Sequence, residues 1–159
     1  MDNLILREMR EEDVASALVI CKKCFGKNAV ARRNYLENAA WSWRYTSFVA
    51  ELDGKIVACA CAKLAERYED YWEAKKDSAT IEVLAVDPDY HGQGIGTALF
   101  AKLIASLEER AVKSMHLLVH PGNTPAIDFY ERFGFKYLNA NDRAFMLRMT
   151  CQDESPSEQ

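Results

Sequence analysis

The sequence predicts one mixed α/β domain, a sheet whose strands are interleaved with helices. Three observations carry this. Short apolar runs of strand character alternate along the chain with stretches of helical period. Asp53-Gly54, set between two such runs, marks a tight hairpin, because this dipeptide tolerates the positive φ angles the turn needs. Ile95, Leu99, Leu103 and Leu107, four apart, draw a single apolar stripe along a helix. The 159 residues suit a single domain, and a chain of this length buries roughly 68–70% of its unfolded surface without a disulfide or metal staple. The domain is expected over residues 1–150. An acidic tail at 151–159, rich in Ser, Glu and Asp, is expected to be disordered.

Residues 3–9 read as a first strand. Arg10-Glu11-Glu12-Asp13 opens a helix to about Phe25, with its acids near the positive end of the helix dipole. Gly26 to Asn28 breaks it, and a second helix over about 30–40 leads to the aromatic cluster Trp41, Trp43 and Tyr45. Phe48–Leu52 and Lys55–Leu64 form the hairpin. Residues 66–77 have no apolar period and read as an exposed excursion with five acids against three bases. Thr80–Val86 is a strand stopped by Asp87-Pro88, and a helix runs from Gly94 to about Arg110. Met115–His120 is a strand and Pro121-Gly122-Asn123 a turn. A helix with proline in its first turn runs from Pro125 to about Phe133, capped by Gly134. Phe135–Leu138 and Ala144–Met149 close the sheet.

Composition excludes several function classes. No window approaches the ~18 apolar residues of a membrane span. No basic start with a long apolar run follows Met1, so no secretory signal is expected and a cytoplasmic location is. The net charge of −4 owes much to Asp153, Glu154 and Glu158, which leaves a nearly neutral body with no basic footprint for nucleic acid. Cys21-x-x-Cys24 and Cys59-x-Cys61 admit a four-thiolate zinc site. Cys21 and Cys24, however, fall on a helical period without a glycine knuckle, and Cys59 and Cys61 alternate with alanines in a strand. Packed, reduced thiols are the simpler reading, and no metal ligand is expected.

The chemistry concentrates in Leu84-Ala85-Val86-Asp87-Pro88-Asp89-Tyr90-His91-Gly92-Gln93-Gly94-Ile95-Gly96-Thr97. A buried strand ends, a glycine-rich loop follows, and an amphipathic helix starts at once. Glycines let the backbone approach a ligand, and the unpaired N–H groups of the first helical turn suit phosphate. The spacing G-x-G-x-G is not the dinucleotide fingerprint, and no Gly-Lys-Ser/Thr follows to make a P-loop. Glu82 is the only charged residue in Thr80–Val86. Strict alternation would put it on one face with Leu84 and Val86, where burial would raise its pKa toward that of a useful base.

This segment resembles the acetyl-CoA motif of the GNAT superfamily of N-acetyltransferases. Asn123-Thr124-Pro125-Ala126-Ile127-Asp128-Phe129-Tyr130-Glu131-Arg132-Phe133-Gly134-Phe135 is similar to that family's second motif, N-x-x-A-x-x-F-Y-x-x-x-G-F. The resemblance extends over residues 3–150. It implies a mixed, mostly antiparallel sheet of about six to seven strands flanked by about four helices. It also implies acetyl-CoA as cosubstrate and transfer of its acetyl group to a primary amine in a ternary complex. The amides around Leu84, Ala85 and Val86 would pair with pantetheine and polarise the acetyl carbonyl. His91, Gly92, Gln93, Gly94, Ile95, Gly96 and Thr97 would hold the pyrophosphate, with Asn123, Ala126 and Tyr130 completing the cofactor site. Tyr130 would protonate the departing thiolate and Glu82 would be the base. His91 stands where the family usually has Arg or Gln, which makes pH-dependent binding an expectation. Members that acetylate ribosomal-protein N-termini often carry Glu immediately before the valine of the fifth strand, where this chain has Leu118.

For His116 and His120 a catalytic histidine is one reading and residues marking the strand end the simpler one. The acceptor is expected to be a small-molecule or peptide amine. Trp41, Trp43, Tyr45 and the excursion at 66–77 would flank its side of the cleft, with aromatic faces and acids drawing an ammonium group. The alternative is a non-catalytic acyl-CoA sensor on the same fold. A homodimer is compatible with the sequence, which carries no code for oligomeric state.

Overall fold

The computed structural model describes residues 3–65, 77–140 and 143–149. Its elements in chain order are β1 (Leu4–Glu8), α1 (Val14–Phe25), α2 (Ala29–Ala39), β2 (Tyr45–Leu52), β3 (Lys55–Leu64), β4 (Ser78–Val86), α3 (Ile95–Glu109), β5 (Ser114–Leu118), α4 (Thr124–Arg132), β6 (Lys136–Ala140) and β7 (Arg143–Met149). The seven strands form one sheet in the order β1-β2-β3-β4-β5-β7-β6, in which only β4 and β5 run parallel. The expected mostly antiparallel sheet with four helices is thus observed among the described residues. Most of the excursion, 66–76, and the tail, 151–159, lie outside them.

Two apolar layers sandwich the sheet. On one face α3 buries the predicted stripe of Ile95, Leu99, Leu103 and Leu107, and Ile127, Phe129, Tyr130 and Phe133 of α4 and its C-terminal turn pack beside it. On the other face Ala17, Ile20 and Cys21 of α1 and Leu36 of α2 meet Val49, Cys59 and Cys61. Strand β3 is therefore covered on both sides. Its residues Val57 to Ala62 are fully buried, and their small side chains let helices close in on both faces. Among the described residues no helix is long and apolar enough to cross a membrane.

The first helix starts differently from expectation. A short 3-10 turn, Glu11–Asp13, precedes α1, and Asp13 is buried rather than merely near the helix dipole. Its carboxylate accepts both Arg7 guanidinium nitrogens, at 2.7 and 2.9 Å, and the Arg10 N–H at 2.7 Å. The Arg7 hydrogen bonds hold the Asp13 carboxyl below the usual carboxylate range, against the opposing effect of burial. Asp13→Asn is expected to destabilise the fold by about 1.5–3 kcal/mol at pH 7, as hydrogen bonds to a charged group are lost. A carboxyl depressed in the folded state contributes stability above its unfolded pKa and loses it as pH falls through the folded value. Denaturant melts should therefore show the wild-type advantage shrinking below about pH 4.

Candidate active site

The sheet opens beside β4. Parallel pairing with β5 covers Ser78–Thr80 against Ser114–His116 and then stops, while β4 continues to Val86 against β3. From Ile81 onward β4 has a neighbour on one edge only. The Asp87 N–H donates to the Val57 carbonyl at 2.8 Å, so by alternation the backbone groups of Ala85 face β3. Those of Leu84 and Val86 face the gap. The Val86 carbonyl there accepts from the Cys24 thiol at 3.2 Å and lies 2.9 Å from His91 Nε2. Of the three residues expected to pair with a pantetheine chain, Leu84 and Val86 thus present free-edge groups, whereas Ala85 is committed to the sheet.

A cavity of about 450 Å³ fills this gap. Leu84, Ala85 and Val86 form one wall, and Pro125, Ala126, Phe129 and Tyr130 the facing one. His91, Gly92 and Gly94 to Thr97 close its end, with Cys24 and Phe25 of α1 at the side. Gly92 and Gly94 have φ of +78° and +80°, which turn the chain so that Gly94 becomes the N-cap of α3. The first α3-type bond here is Ala98 N–H to the Gly94 carbonyl, at 3.0 Å. The amides from Gly94 to Thr97 therefore have no intrahelical acceptor, the arrangement that suits an anion. Gly96 sits against the strand end, where a Cβ would lie 3.2 Å from Val86 Cγ2. A Cβ at 96 would require the Val86 side chain to give way by a few tenths of an ångström.

Asp87 fixes the loop to the body. Burial pushes its carboxyl up, but the Asp89 N–H at 3.0 Å and the Lys23 ammonium at 3.1 Å outweigh this and hold it low.

Tyr130 reaches the cavity from α4, on the face opposite β4. Its ring meets Phe100 and Phe129 edge-on, both with centroids 5.3 Å away, and Phe135 at 5.9 Å. Burial among these rings pushes its pKa up to about 12, so the phenol keeps its proton throughout the neutral range.

Glu82 departs from the expectation drawn from alternation. The β3–β4 register steps from Cys61–Val83 to Ala62–Ile81, leaving Glu82 as the extra residue of a β-bulge. Ile81 therefore shares its face with Leu84 and Val86, on the α3 side. Glu82 turns to the α1–α2 side, where Tyr35, Tyr45 and Cys61 lie within its electrostatic reach. It stands at the point where β4 and β5 part, yet outside the lining of the cavity.

Other expected site residues are placed elsewhere. The Asn123 side chain caps α4, accepting the Ala126 N–H at 3.3 Å, and neither it nor Gln93 lines the cavity. His116 is buried and hydrogen-bonded to Thr80 at 2.8 Å across the β4–β5 pair. His120 Nδ1 accepts the Gly122 N–H in the turn. Trp41 and Trp43, 72% and 75% exposed, do not flank the cavity. They border a separate hollow with Glu109 and Arg110 at the far end of α3, where Arg110 binds the Tyr45 carbonyl at 3.1 Å. Among the described residues no group of three or more His, Cys, Asp or Glu side chains is gathered as metal ligands are. Phe25, which lines the cavity, and Tyr35, beside Glu82, are residues that the sequence did not single out, and Cys24 was weighed only as a zinc thiolate. They come from α1 and α2, which carry no local motif.

Residues 6–135 match the acetyltransferase (GNAT) family. The ribosomal protein bS18-alanine N-acetyltransferase of Escherichia coli K12 is 39% identical over 92 residues, which make up 58% of this chain and 55% of that protein. The match thus spans about half the relative's length. The crystal structure of the ribosomal-protein-S18-alanine N-acetyltransferase from Escherichia coli superposes with a TM-score of 0.71 at 26% identity, over 94% of this chain and 97% of that one. PaiA N-acetyltransferase from Thermoplasma acidophilum, solved with coenzyme A, shares the fold with a TM-score of 0.76 at 14% identity, over 92% and 99% of the two chains.

Proposed function

We propose that this chain, which belongs to the acetyltransferase (GNAT) family, moves an acetyl group from acetyl-CoA to a primary amine by direct attack in a ternary complex. The observation that carries the reading is the cavity bounded by the free edge of β4, the glycine-led first turn of α3 and the Tyr130 ring. Acetyl-CoA supplies the activated acyl group, a thioester whose leaving group is a thiolate. The amides opening α3 offer the pyrophosphate its donors, and the positive φ of Gly92 and Gly94 leaves room for it. The free-edge N–H groups of Leu84 and Val86 pair with the pantetheine arm and polarise the acetyl carbonyl. Tyr130 donates a proton to the departing sulfur, and Glu82 takes one from the amine. The bulge aims Glu82 at the α1–α2 side, so the amine approaches the parting point of β4 and β5 from that side of the sheet.

Leu118 carries no acid, so the carboxylate at this vertex is Glu82 of β4 rather than a residue of β5. A peptide α-amine is the first acceptor to test, because the Escherichia coli relative is named for acetylating an alanine of a ribosomal protein. Thermal-shift titration should show acetyl-CoA and CoA raising the midpoint. Saturation at 100-fold over Kd adds about 2.7 kcal/mol, or roughly 5–10 °C for a domain of this size. A rise with ATP or NAD but none with CoA would remove the reading. Thiol release against a panel of peptide and small-molecule amines then decides between turnover and a silent acyl-CoA sensor.

A further inference from the structure

We infer that His91 is a positioning residue, which ties the glycine loop to the end of β4 by donating from Nε2 to the Val86 carbonyl instead of presenting a cation to the pyrophosphate. The inference rests on the reading of the cavity as the acetyl-CoA site.

The chain leaves β4 at Val86 and enters α3 through Gly94. Between them Asp87 to His91 coil into a short turn. The Asp89 N–H donates to the Asp87 carboxylate at 3.0 Å, the Tyr90 N–H to the Asp87 carbonyl at 2.8 Å and the His91 N–H to the Pro88 carbonyl at 3.3 Å. His91 itself is extended, with φ −65° and ψ 154°, and its side chain turns back along the loop until Nε2 lies 2.9 Å from the Val86 carbonyl. A carbonyl oxygen only accepts, so Nε2 carries the hydrogen, and that donor exists in the neutral ring and in the imidazolium alike. The buried carboxylate of the same loop does not compete for the ring, because Asp87 is held by the Asp89 N–H and, at 3.1 Å, by the Lys23 ammonium.

The tether closes the loop just before Gly92 and Gly94, both at positive φ. Glycine has the freest backbone, so the amides beyond it would otherwise have to be ordered when an anion binds. Fixing His91 to the strand end does part of that ordering in advance. The Cys24 thiol donates to the same carbonyl at 3.2 Å, so both acceptor positions of the Val86 oxygen are filled. The pantetheine arm therefore meets Val86 through its N–H alone.

Two neutral replacements that differ in reach provide the test. Glutamine places its amide nitrogen near the position of Nε2, whereas asparagine places it near Nδ1, too short for the Val86 carbonyl. Calorimetry with CoA at low and high salt should show His91→Gln restoring the wild-type Kd to within about twofold and His91→Asn weakening it by about 3–10-fold, the span of one ordinary hydrogen bond. Neither ratio should change with salt, since no charge on the phosphates is lost. Equal weakening in both variants that shrinks as salt rises would make His91 a cation on the pyrophosphate and overturn the inference. Kd values within about twofold of wild type for both variants would overturn it as well. Long-range proton–nitrogen NMR on the wild-type protein needs no variant. The neutral His91 ring should carry its hydrogen on Nε2 before and after CoA is added, and an Nδ1–H ring in either state also overturns the inference. Absence of CoA binding by the wild-type protein is a different failure, which removes the cofactor reading itself.

Discussion

Tyr130→Phe is expected to lower turnover by roughly 10²–10⁴-fold, the range of a lost general acid, with the affinity for CoA little changed. The substitution removes one oxygen and keeps the ring, so the edge-on contacts with Phe100 and Phe129 persist and the cavity wall keeps its shape. The size of the effect follows from the site's apolar walls. A thiol of ordinary pKa near 8.5 leaves as an anion, and apolar walls give an expelled anion little stabilisation without a proton donor. The burial that lifts the Tyr130 phenol to about 12 acts in the same direction on the thiol beside it, so donor and acceptor stay matched. Because the phenol pKa is so high, Tyr130 should contribute no descending limb to the rate profile between pH 7 and 10. Thiol release at saturating acetyl-CoA measures the effect. A rate within about twofold of wild type would assign the proton to water or another group.

Much of this site is written locally in the chain. The glycine loop and the α3 stripe are contiguous patterns whose geometry follows from backbone freedom at Gly92 and Gly94 and from helical period, and both appear where the sequence puts them. Tyr130 is equally local, because a short helix that starts at Asn123-Thr124-Pro125 fixes which face it presents. Glu82 marks where such reading fails. Alternation along a strand assumes one partner residue per position, and a bulge is a property of the pair of strands, visible only once Cys61–Val83 and Ala62–Ile81 are in register. The error moved one carboxylate across the sheet. Tyr35, Phe25 and Cys24 were illegible for a related reason: their roles depend on α1 and α2 docking against β4, a tertiary fact with no sequence period of its own. The aromatic cluster shows the converse. Trp41 and Trp43 look like a binding surface by composition, yet Arg110 ties that segment to the far end of α3, away from the cavity.

The placement of Glu82 sets the second large effect. Glu82→Gln is nearly isosteric, so the bulge should survive while the base is lost. Turnover at pH 7 should fall by roughly 10²–10³-fold. The defect should also depend on the acceptor. An alkyl amine with a pKa near 10.4 is almost wholly protonated at pH 7, whereas a peptide α-amine near 7.7–8.0 is deprotonated to roughly a tenth. Without a base, only the neutral fraction can attack. The variant should therefore recover with rising pH and level off near pH 9 with a peptide acceptor, but still be climbing past pH 10 with an alkyl amine. Parallel profiles for wild type and Glu82→Gln, or turnover within about twofold at pH 7, would hand the proton to a chain of waters and leave Glu82 a structural residue of the bulge.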